Sequence, residues 1–256
     1  MTFSSPLSRI RGSRLLRARE AAGLDRLSLV SSLQWRDTPE RGALGRLAAL
    51  ESGALEEWPE GVELLTLASA LGVQPAWLEG TDIPAGAYLG VERVVSGGQT
   101  GADQGGLRGA QDAAVPTAGW APKGWLTEDG PAPWLAALGL LEYPQSGYPP
   151  RTRANVRESD ATLLVGRLTG GTGFTWRAAE EMGRPRLHLP WPGPVGAEVV
   201  EQVVGWLARH RVRVINVAGS RESGAPGIGA AVRRLVRESL AAQAARWSGG
   251  AVRNLG

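Results

Sequence analysis

The chain has 256 residues, 43% of them apolar and 21% charged, and a net charge of +3, enough for a small domain joined to a medium one and unlike a disordered or fibrous composition. No apolar run reaches the roughly 18 residues of a membrane span, and the first residues lack the unbroken apolar stretch of a secretory signal, so a cytoplasmic protein with no membrane partner is expected. Cysteine is absent and His188 and His210 are the only imidazoles, which removes disulfides, thiolate nucleophiles and cysteine-ligated zinc; no metal site is expected.

The first 80 residues predict four or five short helices. Leu15, Leu16, Ala18 and Ala22 form a helical stripe closed by Gly23, and further segments run over Leu27–Leu33, Ala43–Glu51 and Val62–Leu71. Charge is uneven here. Residues 1–46 hold nine arginines against Glu20, Asp25, Asp37 and Glu40, whereas Leu47–Gly80 has six glutamates and no basic residue. A basic face on the first helices suits a polyanion, and it equally suits a solvated amphipathic helix. Gly80 to Gly86 reads as a linker, so the expected division is a helical domain over 1–80, a linker over 81–90 and a second domain over 91–256.

From Val91 short apolar runs alternate with helical stretches, the pattern of an α/β fold with a mostly parallel, Rossmann-like sheet. Strands are predicted at Glu92–Ser96, Thr117–Trp120, Ala161–Val165, Arg186–Leu189 and Val212–Val217. Helices are predicted near Asp103–Ala114, Thr152–Glu158, Thr172–Met182, Ala197–Arg209 and Ile228–Ala245. Proline-rich Thr127–Pro150 reads as an irregular loop across the ligand end of the sheet.

Three glycine-rich segments stand at the ends of predicted strands: Val94–Asp103, Gly166–Thr175 and Val217–Gly224. A strand delivering the chain to a helix N-terminus leaves N–H groups that an anion approaches where glycine permits. In an open parallel sheet, loops after different strands converge on one crevice. The expected ligand is a phosphate-bearing small molecule. Its expected binding residues are Gly97, Gly98, Gln99, Thr100, Gly101 and Asp103, then Gly170, Gly171 and Thr172, then Gly219 and Arg221, with Asn155 between them. Positive charge would come from Arg151 or from Lys123, the single lysine among 28 basic residues. Lys123 reads either as a position needing a compact ammonium or as a chance survivor on the surface.

The segments SGGQTGAD at 96–103, GWAPKGWLTEDGP at 119–131, YPPRTRANVRESDATLLV at 148–165, LTGGTGFTWRAAEEMGRP at 168–185 and NVAGSRESGAPGIG at 216–229 resemble the family named for a molybdenum carrier role. That family is a branch of the Rossmann-like superfamily that includes cytokinin-activating phosphoribohydrolases. The resemblance implies a nucleotide or molybdopterin-type cofactor held through backbone amides. The phosphoribohydrolases pair an arginine with a glutamate in a Gly-Gly-x-Gly-Thr-x-x-Glu segment. Arg151 matches the arginine, but Arg177 stands at the glutamate position and Phe174 at the threonine. A cation there would repel an oxocarbenium-like state, which implies retention without hydrolysis. Asp103, Glu128 and Asp129 remain as other carboxylate sources.

The first 80 residues resemble a phage-repressor-type helix-turn-helix through Leu50-Glu51-Ser52-Gly53, Trp58-Pro59 and residues 64–73. The resemblance implies that Ala43–Glu51 enters the major groove of double-stranded DNA, with Arg11, Arg14, Arg36, Arg41 and Arg46 as DNA-binding residues. The stretch Gln34–Gly42, which contains Pro39, departs from the tight turn of that family. Three readings follow: a ligand-sensing DNA-binding regulator, expected as a homodimer; a cofactor carrier; and a nucleotide hydrolase.

Overall fold

In the computed structural model, which describes residues 5–33, 35, 40–55, 57–83, 87–193 and 196–246, the chain divides into two units. One is Met1–Leu89 with Gln243–Gly256, and the other is Gly90–Ala242. Arg36, Pro39 and the middle of the expected linker lie outside the described residues.

The first unit holds α1 (Pro6–Ala21), α2 (Arg26–Ser32), α3 (Glu40–Glu51), α4 (Gly61–Leu71) and α5 (Pro75–Glu79). Local chemistry sets the helix starts. Ser5 caps α1 by accepting from Ser8 N at 3.1 Å, with Pro6 pre-set for the first turn. Asp25 caps α2 by accepting from Ser28 N at 2.7 Å. Leu15, Leu29, Leu47, Leu50, Leu67 and Leu78 are fully enclosed in one core. The helices α1 and α3 cross at near backbone contact, since a Cβ on Gly12 would stand 2.5 Å from Leu50 O and one on Gly53 2.6 Å from Arg9 Cα. Larger residues at either position would push the crossing apart. Glu51, nearly enclosed, takes guanidinium groups from both Arg19 and Arg26. Of the four or five helices expected, the short α5 is the one with no predicted position, because five residues starting at a proline carry too little periodicity.

The second unit is a six-stranded, wholly parallel sheet: β1 (Arg93–Val95), β2 (Thr117–Ala121), β5 (Leu140–Glu142), β6 (Ala161–Val165), β7 (Arg186–Leu189) and β8 (Val214–Gly219), in the order β5-β2-β1-β8-β6-β7. A two-stranded hairpin, β3 (Leu126–Thr127) and β4 (Gly130–Pro131), stands apart from it. The stretch expected to be irregular thus contains a hairpin, a 3-10 turn at Pro133–Leu138 and an edge strand, registered at Gly119↔Leu140. The last strand runs two residues further than expected, to Gly219.

Four longer helices lie between these strands, α6 (Ala102–Asp112), α7 (Tyr148–Arg157), α8 (Gly170–Glu181) and α9 (Ala197–Arg209), and α10 (Ile228–Arg246) follows the last of them. Right-handed crossovers put helices that move along the sheet in opposite directions on opposite faces. Accordingly α6, α9 and α10 share one core around Val94, Val204, Val217, Ile228 and Leu235, while α7 and α8 enclose Val156, Ala178 and Ala179. The helix α6 approaches β8 and α10 through glycines. A Cβ on Gly105 would stand 2.4 Å from Gly229 O, one on Gly106 2.6 Å from Val217, and one on Gly109 2.4 Å from Arg233 O. Across the described residues no helix is long and apolar enough to cross a membrane.

Candidate functional site

The strand order reverses between β1 and β8, so the loops after β1, β8 and β6, three adjacent strands, open at one end of the sheet. That switch point is where an open α/β sheet forms its crevice. A cleft of about 810 Å³ lies there, within the size range of small-molecule sites. Gln99, Asp103, Tyr148, Arg151, Arg167 and Arg177 line it, as do Gly170–Thr172, Phe174, Gly219 and Arg221.

Its inner wall is a buried ion pair. Arg151 Nη1 lies 3.7 Å from Asp103 Oδ2, with both residues more than nine-tenths enclosed. Burial pushes the Asp103 carboxyl up from its ordinary range, against the pull of Arg151 and the N–H groups of Gln99, Gly219 and Gly97. Burial likewise pushes the Arg151 guanidinium below its ordinary range, and the attraction of Asp103 offsets only part of that. The guanidinium lies directly over Gly97, where a Cβ would stand 1.2 Å from Nη1. Two polar atoms here have no hydrogen-bond partner among the described residues: Arg151 Nε and Gln99 Nε2. Such buried donors are uncommon in a native structure and point to an acceptor from outside the chain.

The opposite wall is the start of α8. Thr169 is its N-cap and makes no side-chain capping bond, so the first N–H groups of Gly170, Gly171 and Thr172 have no intrahelical partner. No atom lies within 4 Å of the place a Cβ would take on Gly170 or Gly171. Arg167, Arg177 and Arg221 are exposed and form no salt bridge among the described residues. Four guanidinium groups therefore face one carboxylate, and the dipole of α8 adds to their field.

The remaining carboxylates nearby hold loops together. Glu128, on the β3–β4 turn, accepts from Thr100 Oγ1, from Ser223 Oγ and, at 3.2 Å, from Ser223 N. Its own N–H donates to Gln99 Oε1 at 2.8 Å. Against a desolvation that would raise it, hydrogen bonds from Ser223 and Thr100 hold this carboxyl below its ordinary range. Glu222 accepts from Gly227 N and Gly229 N at the start of α10. Sequence reading missed both roles, because the partners are distant or are backbone groups.

The expected residues are thus dispersed over distinct positions. Gln99, Asp103, Arg151, Gly170, Gly171, Thr172, Gly219 and Arg221 line the cleft. Gly97 faces the Arg151 guanidinium, Gly98 faces Leu135 and Leu140, and Gly101 faces the backbone of Ser220 to Glu222. Thr100 is buried and engaged by Glu128. Asn155 bridges the backbone of β2, accepting from Trp120 N at 2.8 Å and donating to Trp120 O at 3.2 Å. Lys123 is exposed in the 3-10 turn after β2 and does not line the cleft.

In the first unit the four described members of the expected arginine set also separate. Arg14 pairs with Asp82 at 2.6 Å, Arg11 donates to Glu79 O at 2.6 Å, and Arg46 engages both oxygens of Glu63 while stacking on Trp35. Arg41 is exposed, as is Arg17.

Comparison with known proteins bears on the second unit. The crystal structure of the "Putative molybdenum carrier protein" from Syntrophus aciditrophicus SB is 35% identical, with a TM-score of 0.54 over 58% of this chain and 95% of that one. None of the curated proteins matches. Residues 94–240, more than half of the chain, match the family described as circularly permutated YpsA SLOG, and they span the sheet from β1 into α10. The chain belongs to the circularly permutated YpsA SLOG family.

Proposed function

We propose that the second unit binds and retains a phosphate-bearing, nucleotide-derived ligand in the cleft between the β1, β6 and β8 loops. One observation carries this reading: four guanidinium groups and an uncapped helix N-terminus face a single carboxylate that is already paired. Membership of a nucleotide-linked family and likeness to a protein named as a molybdenum carrier agree with a held ligand. Hydrolysis has less support. Asp103 is buried beneath Arg151, Glu128 and Glu222 are engaged by neighbouring loops, and Arg177 rather than an acid stands on α8. The test is calorimetric titration with AMP against adenosine, followed by assay of free-base release from a panel of monophosphates. Binding that requires the phosphate, with no turnover, is expected. Equal affinity for adenosine, or turnover near about 1 per second, overturns the reading.

A molybdopterin-type ligand is a second reading of the same cleft, favoured by the carrier name of the Syntrophus protein; mass spectrometry of the intact purified protein distinguishes the two. The first unit adds a DNA-binding regulator as a third. Its support is the helix-turn-helix resemblance together with exposed Arg17 and Arg41; against it, Arg14 and Arg46 are ion-paired with Asp82 and Glu63, and Arg11 is held on the Glu79 carbonyl. Duplex binding measured against salt decides it. Two phosphate contacts give a log–log slope near about −2, whereas all five arginines would give about −4.5.

A further inference from the structure

The guanidinium groups of the cleft form two clusters, each with its own unmet demand. At the start of α8, Arg177 Nη1 lies 3.6 Å from where a Cβ on Gly173 would stand, and Arg167 precedes the N-cap Thr169 by two residues. The free N–H groups of the first turn belong to this outer cluster. At the inner wall, Arg151 and Arg221 both lie against the Tyr148 ring, 5.7 and 5.4 Å from its centroid. Here the orphaned donors are Gln99 Nε2 and Arg151 Nε, on residues only 6% and 8% exposed.

A single phosphoryl group at α8 answers the outer cluster and leaves the inner one as it was. The inner donors are already desolvated, so an anion placed there gains charge-assisted hydrogen bonds without the full cost of drying them. Asp103 offsets only one of the two inner guanidinium groups. We infer that the cleft takes two phosphoryl groups at once, one at the N-terminus of α8 and one at Arg151, Arg221 and Gln99, so that its ligand is of the nucleoside diphosphate class rather than a monophosphate. This rests on the reading of the cleft as a phosphate-binding site.

The test uses the whole chain and four probes, inorganic phosphate, pyrophosphate, AMP and ADP, titrated by calorimetry without magnesium at fixed ionic strength. Pyrophosphate is expected to bind about tenfold or more tightly than phosphate, and ADP more tightly than AMP by a similar factor. Because pyrophosphate also carries more charge, two variants decide where the gain arises. Arg221→Gln should lower the affinity for pyrophosphate and ADP about tenfold more than it lowers that for phosphate and AMP, so that the preference for two phosphoryl groups is lost. Arg177→Gln should weaken all four. Both side chains are exposed, and an unchanged Tm checks that each variant folds. Equal affinity for ADP and AMP, or an Arg221→Gln variant that loses nothing selectively, overturns the two-anion inference and leaves the proposed function standing. Failure of all four probes at millimolar concentration overturns both.

Discussion

The loop after β1 and the start of α8 look alike in sequence, Ser-Gly-Gly-Gln-Thr-Gly against Thr-Gly-Gly-Thr-Gly, yet their glycines serve opposite ends. Around β1 the missing side chains make room for the protein itself: the Arg151 guanidinium over Gly97, Leu135 and Leu140 beside Gly98, the Ser220–Glu222 backbone against Gly101. At α8 the space beside Gly170 and Gly171 is empty and opens on the cleft. A glycine pair after a strand therefore marks close approach, but what approaches is decided by the topology. Loops from neighbouring central strands crowd each other, whereas the helix that leaves toward the edge does not.

This contrast is open to direct attack. The largest effect is expected for Gly101→Ala. Its φ of +75° is unfavourable to any side chain, and the Cβ would meet Ser220 O at 2.5 Å, so a loss of about 3 kcal/mol or more is expected in urea unfolding. A change under about 0.5 kcal/mol would show the loop to be loose. Gly97→Ala comes next, at about 2 kcal/mol: the Cβ meets a side chain rather than backbone, but that guanidinium is buried and held at Asp103. Gly171→Val should leave the unfolding free energy within about 0.5 kcal/mol of the parent, since nothing lies near. AMP affinity should nevertheless fall at least about tenfold. A variant that binds AMP normally removes α8 from the site.

The smallest effect concerns Glu128. Its carboxyl lies below the ordinary value of about 4.5 when folded, so its stabilising contribution is present above that value and lost as pH falls through the lower folded one. In the parent, Tm should drop across that acid window, and Glu128→Gln should show a shallower drop there. Parallel profiles would mean that the bonds to Thr100 and Ser223 add nothing.

Much of this was legible in the sequence, for reasons that differ by region. Buried parallel strands read as apolar runs, so β6, entirely enclosed, fell where predicted. The three-residue β5 did not, because only its pairing with β2 makes it a strand, and that partner lies some twenty residues earlier. The cleft was legible as a convergence of loops, while the direction of each glycine was not: the neighbours of Gly98 are Leu135 and Leu140, which no local pattern connects to it. Arginines on α1 and α3 looked like one basic face. Their partners Asp82 and Glu63 stand 68 and 17 residues away, so the internal neutralisation was invisible.

The glycines of α6 have a consequence for the order in which the molecule forms. Gly105, Gly106 and Gly109 each cost about 1 kcal/mol in helix propensity relative to alanine, so an isolated 102–112 segment has little tendency to coil. What rescues it is contact with Val217, Gly229 and Arg233, more than a hundred residues downstream. On a growing chain this helix must wait for the C-terminal segment to emerge from the ribosome, and closing so long a loop makes it a late event in refolding as well. Amide protection along α6 should therefore appear with that of α10.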